Sequence, residues 1–540
     1  MRRGGMDFAE CYQHTCSAVG LAAREGKTRL MRKLIQKGYS TDVSDNRGWN
    51  PLHEAAFHGS CECVRILIKT ARSGGTHREY INSPAHDSAT PLFLAAQQGH
   101  ARVARALLHA GANANRVTDD DAGPLFAAVD GGHAEVVKLL LSNGAEVNRP
   151  QSVSGWTCLH QAVFKGHVEI VKFLVGVADV NATDDFGIPP IFVAAQYGQQ
   201  QCVEILASAG ANVSCQSHDL ATPLLIASQE GHLTCVEALL DHGADPNLFC
   251  NEDKWQLPVH AAAEFGHVRV LERLLPLTGR ECDRGRGKVS PVYSAVLRGQ
   301  VETLRVLLRE GFSPDAQECS TYGYSSPIAA ALCSPLMSAE SRSRTPGLVR
   351  ALLEAGAHGD CGLYPSCVEQ DLPYLLEPLL GRGGLPEGDH LAELVRTGLD
   401  HLHTAAVWLP TLLRAGLDPA PFLQEAFFEK AESSVLSYLL EFTNWRMLPQ
   451  SLQHILCRRR AESTWIPLQQ FDSVPSLCQL CRLALRDMLG SKALAQRGFV
   501  QRLPLPPLLH DFLLFTSCPL PTQPAPEQRE YLGHGLDQLE

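Results

Sequence analysis

A chain of 540 residues that is 45% hydrophobic but only 7% aromatic is suited to a long core of small and aliphatic side chains rather than large aromatic clusters. Its net charge of −11, with no basic run, argues against a nucleic-acid surface, because phosphate binding needs concentrated Lys and Arg, and leaves a protein partner as the better expectation. No apolar run is long enough to span a bilayer, and the arginines after Met1 lead into no apolar segment, so neither membrane insertion nor a secretory signal is expected. The expected compartment is the cytoplasm, with the nucleus second, and eighteen cysteines there read as reduced thiols.

Residues 1–16 read as an N-terminal extension. From Ser17 the stretch GLAAREGKTRLMRKLIQKG carries two helices in tandem, as a terminal repeat with one face in water would. The complete unit is clearest between Leu220 and Asn247. Thr222 caps a helix that begins at Pro223, Gly231 and His232 break it, and a second helix lines up Val236, Leu239 and Leu240 before Gly243 stops it. Copies of the first helix start at Pro51, Pro91, Pro124, Cys158, Pro190, Pro223, Pro258, Pro291 and Pro327, separated by 32 to 40 residues. The longest step contains ARSGGTHREYINSPAH, an insertion that belongs on the turn side, and FLVGVADVN at Phe173 is one residue shorter than its neighbours.

The repeated T-P-L-H-x-A-A, G-H and L-L-x-x-G-A-x-x-N elements resemble the ankyrin repeat. The resemblance implies an all-α repeat fold, an ankyrin solenoid of helix–loop–helix–β-turn units, with about ten units over residues 17–357. LLEPLLGRGG near Leu375 and LPTLLRAGLDP near Leu409 keep the second-helix-plus-glycine ending, so residues 358–420 read as degenerate repeats. Residues 421–470 read as an amphipathic helical cap.

Residues 471–516 change character. Leu477, Cys481 and Leu485 are four apart, each about 40° from the last on a helix, and Leu480 and Ala484 lie beside them. That stripe is too long for its own short segment to bury. Arg482, about 140° from Leu477, is expected to stay solvated. Leu503-Pro504-Leu505-Pro506-Pro507 forces an extended connection before another apolar helix, Leu508 to Phe515. The Pro-rich residues 517–540 read as a flexible tail.

This last segment resembles a SOCS box. Ser476, Leu477, Cys481 and Leu485 match its elongin-binding pattern, and Leu503-Pro504-Leu505-Pro506 matches its cullin box in the form associated with the fifth cullin. With the repeats, and with DNRGW at Asp45, NEDKWQLPVHAAA at Asn251, KVSPVYSAV at Lys288 and EFTNW at Glu441, nearly the whole chain resembles the ankyrin repeat and SOCS box proteins. The resemblance implies a small three-helix SOCS box in which Ser476, Leu477, Leu480, Cys481, Ala484 and Leu485 hold elongins B and C. It implies that Leu503, Pro504, Leu505 and Pro506 hold the fifth cullin, which brings a RING-box protein. The repeats would hold a protein substrate, a signalling receptor being one candidate, for ubiquitination and proteasomal degradation. The chain would then be a substrate-recognition subunit and not an enzyme. The rival expectation is an ankyrin scaffold or inhibitor that binds a signalling protein without ubiquitin transfer.

Patterns that suggest enzymes fail on geometry. In His53-Glu54-Ala55-Ala56-Phe57-His58 the second histidine is five residues on, about 140° round a helix, so the two share no ligand face. Cys478 and Cys481 form a C-x-x-C with no second pair nearby and read as non-metal. No phosphate loop, nucleophile elbow or deaminase signature is present, and no catalytic residue, metal or cofactor is expected. His53, His160 and His260 occupy the T-P-L-H slot, while His100, His133, His167, His232 and His267 follow the interhelical glycine; all are expected to be hydrogen-bonded spacers. For the substrate surface, Trp49, Trp156 and Trp255 lie at equivalent turn tips with Asp45, Asp184, Asp185, Glu252 and Asp253, suggesting a concave aromatic and acidic face for a basic or extended segment. The competing expectation is that each tryptophan packs on the neighbouring hairpin.

Overall fold

The computed structural model describes residues 16–74, 77–151, 154–250, 256–279, 289–319, 323–334, 343–468, 471, 475–490, 493–494, 498–516 and 520–521. The chain forms two compact units, Met1–Gly279 and Arg280–Glu540. Among the described residues the structure is helical, with β-pairing confined to the isolated bridges Cys250–Gln256 and Cys319–Tyr324.

All nine expected starts are the first residues of helices, from Pro51–Phe57 to Pro327–Cys333. The reason is local. Proline at the first helical position gives up an N–H that has no partner there, and the residue before it caps the next ones: the Thr222 hydroxyl accepts from the Leu225 N–H at 3.1 Å, and that of Thr90 from Phe93 at 3.2 Å. Ala55, Ala56, Ala95, Ala96, Ala194 and Ala195 are fully buried, so the first helices can approach closely. The second helices complete the core with pairs such as Val64 and Leu67, Val137 and Leu140, and Val236 and Leu239.

The histidines link successive units as expected. Nε2–H of His100 donates to the Phe57 carbonyl at 2.9 Å, that of His133 to Gln97 at 3.0 Å, that of His232 to Gln196 at 3.1 Å and that of His267 to Gln229 at 2.8 Å. The preceding glycine is required twice over. Gly99 has φ +75°, and a Cβ there would lie 2.5 Å from the His133 ring of the next unit. In the T-P-L-H slot, His53 accepts the Asn50 N–H at Nδ1 and donates from Nε2 to Ala89 across the unit boundary. Burial pushes the His53 pKa down to about 4, which keeps it neutral, and these two hydrogen bonds set its tautomer. The shortened copy ends its second helix, Val168–Leu174, early, and the Val177 and Ala178 N–H groups both turn back to the Leu174 carbonyl.

In the second unit the helices Tyr364–Glu369, Leu376–Gly383, Gly388–Asp400 and Ala405–Arg414 follow the last proline-started ones. Trp408 is fully buried against Gly398, where a Cβ would meet the indole at 2.8 Å. Phe422, Phe427 and Phe428 continue this core. The helix Gln450–Ala461 is anchored by Arg459, whose guanidinium donates to the carbonyls of Phe428, Ala431 and Thr464. Three short helices end the described chain: Leu477–Leu489, Phe499–Arg502 and Pro507–Leu513.

Candidate functional site

The Leu477–Leu489 helix starts where Ser476 caps it, its hydroxyl accepting the Gln479 N–H at 3.2 Å, and stops at Gly490 with φ +74°. What it buries is the reverse of ordinary amphipathicity. Gln479 and Arg486 are buried, whereas Leu477 is 77% exposed, Met488 74% and Leu485 42%. Cys481 and Ala484 are exposed as well, and Leu480 is half-buried. The stripe read from the sequence is therefore an uncovered apolar surface. Met488 extends it by one further turn; continuing the four-residue spacing past Ala484 would have found it.

Three polar residues at helical spacing, Gln479, Arg482 and Arg486, hold the opposite face down. Gln479 donates to Glu441 Oε2 at 3.4 Å, and burial raises the Glu441 carboxyl above the usual carboxylate range. Arg482 does not stay solvated as its rotation from the stripe suggests. Its guanidinium lies 3.9 Å from the Phe512 ring centroid and 4.4 Å from that of Phe515, because the following segment folds back over that face. Arg486 donates to the Leu513 carbonyl at 2.7 Å, to Leu413 at 2.7 Å and to Arg414 at 3.3 Å. The last two are end carbonyls of the Ala405–Arg414 helix, where a cation satisfies orphan acceptors and the negative end of the helix dipole together. Burial lowers the Arg486 pKa to about 10, so it stays charged at neutral pH. Phe515 stacks on Phe442 with centroids 3.9 Å apart, in the same cluster.

Leu503 to Pro506 is bent rather than extended throughout as the prolines suggest: ψ is 143° at Leu503 and 147° at Pro506, but the Leu505 N–H turns back to the Leu503 carbonyl at 2.7 Å, a tight turn centred on Pro504. Leu503 packs with Leu489, Phe499 and Leu514 around buried Leu494, Val500 and Leu513, and its carbonyl accepts from His510 at 3.1 Å. Pro504, Leu505 and Pro506 face solvent, and beyond them Leu508 is 81% exposed and Leu509 45%. These two leucines are further uncovered apolar side chains, which the proline pattern alone does not reveal.

The turn-tip residues divide. Asp45 is buried and accepts from the Arg47 and Trp49 N–H groups at 2.9 Å and from the Arg47 guanidinium at 2.6 Å. Burial alone would raise its pKa, but these bonds hold the carboxyl below the usual range. Asp184 is its counterpart, also buried, accepting from the Phe186 and Ile188 N–H groups and from Trp156 Nε1 at 3.2 Å. Both shape their own turns, and Asp185 is the exposed acid. Trp49 is half-buried, stacked on His53 and 5.2 Å from Phe57, with the Arg47 guanidinium 4.0 Å over its ring. Trp156 stacks on His160 and meets Phe164 at 5.5 Å, and Phe164 meets the exposed Tyr197 at 4.8 Å. Glu252, Asp253 and Trp255 lie outside the described residues.

Comparison with known proteins decides the family. Residues 19–118, 92–184 and 159–250 match ankyrin repeats, and residues 473–514 match the SOCS box. The chain is 46% identical to Ankyrin repeat and SOCS box protein 3 of Bos taurus over 515 residues, 95% of this chain and 96% of that one. It is likewise 46% identical to the Homo sapiens protein over 512 residues, 94% and 96% of the two chains. The chain belongs to the ankyrin repeat and SOCS box family. The human transient receptor potential cation channel subfamily A member 1 is 30% identical over 302 residues, 54% of this chain but 27% of the channel, a local likeness. Among the described residues no helix is long and apolar enough to cross a membrane. As a SOCS-box protein of this family, the chain is an adaptor of the ubiquitin pathway, with the box at 473–514 and its repeats available for a target.

Proposed function

We propose that this chain is the substrate-recognition subunit of an elongin–cullin–SOCS-box ubiquitin ligase. The observation that supports it most is the uncovered stripe Leu477, Cys481, Ala484, Leu485 and Met488, presented on a helix whose inward face is fixed by Arg482 and Arg486. A soluble partner that covers it gains about 1.5–3 kcal/mol for each large apolar side chain buried. Elongins B and C are the partners that the family implies for this stripe. The exposed Pro504-Leu505-Pro506 segment suits the fifth cullin, since its two prolines and the Leu505–Leu503 turn already fix the backbone and leave little entropy to lose on docking. Target and conjugating enzyme are then held together, and proximity accelerates transfer with no covalent chemistry by the adaptor.

For the target we propose the aromatic row Trp156, Phe164 and Tyr197, with Asp185 near it and a second cluster at Trp49 and Phe57. Large rings fixed on a rigid repeat are efficient contact residues, and an exposed acid beside them favours a basic or extended segment. Elongins B and C should co-purify with the full-length chain and be lost when Leu477 and Cys481 are both changed to serine. Retention by that variant would refute the assignment and favour a scaffold that masks its partner without ubiquitin transfer.

A further inference from the structure

Away from the box and the repeat surface, the second unit brings together three side chains whose chemistry is that of a metal site. Asp371 occupies the turn that follows the Tyr364–Glu369 helix, with φ +57°. His401 ends the Gly388–Asp400 helix, and His403 lies in the 3-10 turn Leu402–Thr404. The two helices pack together, so the carboxylate and imidazoles meet across a gap of about thirty residues in sequence. His403 Nε2–H donates to Asp371 Oδ1 at 2.9 Å, and one ligand atom from each of the three residues lies within 4.8 Å of the others. His401 Nδ1 is shielded from solvent and has no hydrogen-bond partner, a lone pair or N–H left without a use by the surrounding protein.

We propose that Asp371, His401 and His403 bind one divalent transition-metal ion, zinc being the best match. Two imidazoles and one carboxylate are a donor set that zinc takes readily, with bonds of about 2.0–2.1 Å and hence ligand-to-ligand edges of roughly 3.3 Å in a tetrahedron. The Asp371–His403 pair is already close to that edge. The Asp371 and His403 side chains, 63% and 59% exposed, have room to adjust towards His401 and close the remaining edges. The same exposure leaves the remaining coordination position to water or to a side chain of a bound protein. The ion would tie the turn at 371 to the one at 401–404 and stabilise this part of the second unit. Sequence spacing could not show it, since only the His-x-His half is contiguous.

The test uses the full-length chain, stripped of metal and titrated with zinc against a chromogenic chelator, then with cobalt as a spectroscopic probe. The wild type should bind one equivalent more than the His401→Ala/His403→Ala variant, and Asp371→Asn should weaken that equivalent at least tenfold. The cobalt form should show d–d bands that the double variant lacks, without the sulfur charge-transfer band that ligation by Cys478 and Cys481 would produce. Zinc should raise the melting temperature of the wild type and not of the variant, while metal-free melting stays similar. Equal stoichiometry in wild type and variant, or a signal carried wholly by thiolate, would overturn the site and reduce the cluster to an ion pair.

Discussion

Replacing Arg486 with alanine should do more damage to the box than removing any residue of its exposed stripe, although Arg486 is buried and can touch no partner. The substitution removes three hydrogen bonds, to Leu513, Leu413 and Arg414, and the guanidinium that lies 5.2 Å from the Phe515 ring and 5.5 Å from Phe442. Each bond from a charged donor contributes about 1.5–3 kcal/mol, and carbonyls left buried without a partner each cost about 1–3 kcal/mol. Some of these losses overlap, and water reaches part of the gap, so a net destabilisation of about 3–5 kcal/mol is expected. Hydrogen–deuterium exchange of the Leu477–Leu489 amides reads it locally: protection should fall by about two to four orders of magnitude, and elongin capture should fall with it. Arg486→Lys should recover only part, because an ammonium is a point charge and cannot span carbonyls from two segments. Unchanged protection in Arg486→Ala would refute the view that this cation anchors the helix.

Three further outcomes are expected. Leu477→Ala should weaken elongin binding by about 1.5–3 kcal/mol, roughly 10- to 100-fold by calorimetry, with amide protection of the box unchanged. Arg482→Ala should lower that protection through loss of its contacts with Phe512 and Phe515, so the two variants separate by mechanism even where their binding losses are similar. Pro504→Ala/Pro506→Ala should reduce cullin capture while elongin binding is kept, and simultaneous loss of both would mean the box unfolds as one unit. Acid should destabilise the first unit through His53: its pKa of about 4 when folded lies below the unfolded value near 6.5, so the unfolded chain binds the extra proton. Stability is then full above about pH 6.5 and declines towards pH 4, by roughly 3 kcal/mol from this group, in urea titrations across that window; His53→Gln should flatten the slope.

The repeat was legible because its signals are local. Proline at the first helical position in eight of the nine copies, often with a capping side chain before it and a glycine after the helix, marks the helices from a few adjacent residues, and the structure starts a helix at every expected position. The stripe at Leu477 was legible for a related reason, since periodicity alone showed an apolar face with too little chain to cover it. What could not be read were the groups whose partners are remote. Arg486 looks like a surface cation until Leu413 and Arg414, more than seventy residues earlier, present their carbonyls to it. Asp45 and Asp184 looked like binding acids at exposed tips, yet each carboxylate is taken up by its own turn, a competition that side-chain-to-backbone bonding by Asp makes common. Trp49 and Trp156 stand between the two expectations, each half-buried and stacked on a histidine of its own repeat. Asp371 and the His401–His403 pair carry no joint signal in the sequence at all.

On the proposed function, the exposed stripe and the proline segment assemble one ligase complex around this chain. Mixing the purified full-length protein with elongins B and C and the fifth cullin bound to its RING-box protein, then measuring mass by light scattering during size exclusion, tests it directly. A single species containing one copy of each component is the predicted result, collapsing when Leu477 and Cys481 are changed to serine. A chain that elutes alone beside intact elongin and cullin complexes would rule that assembly out.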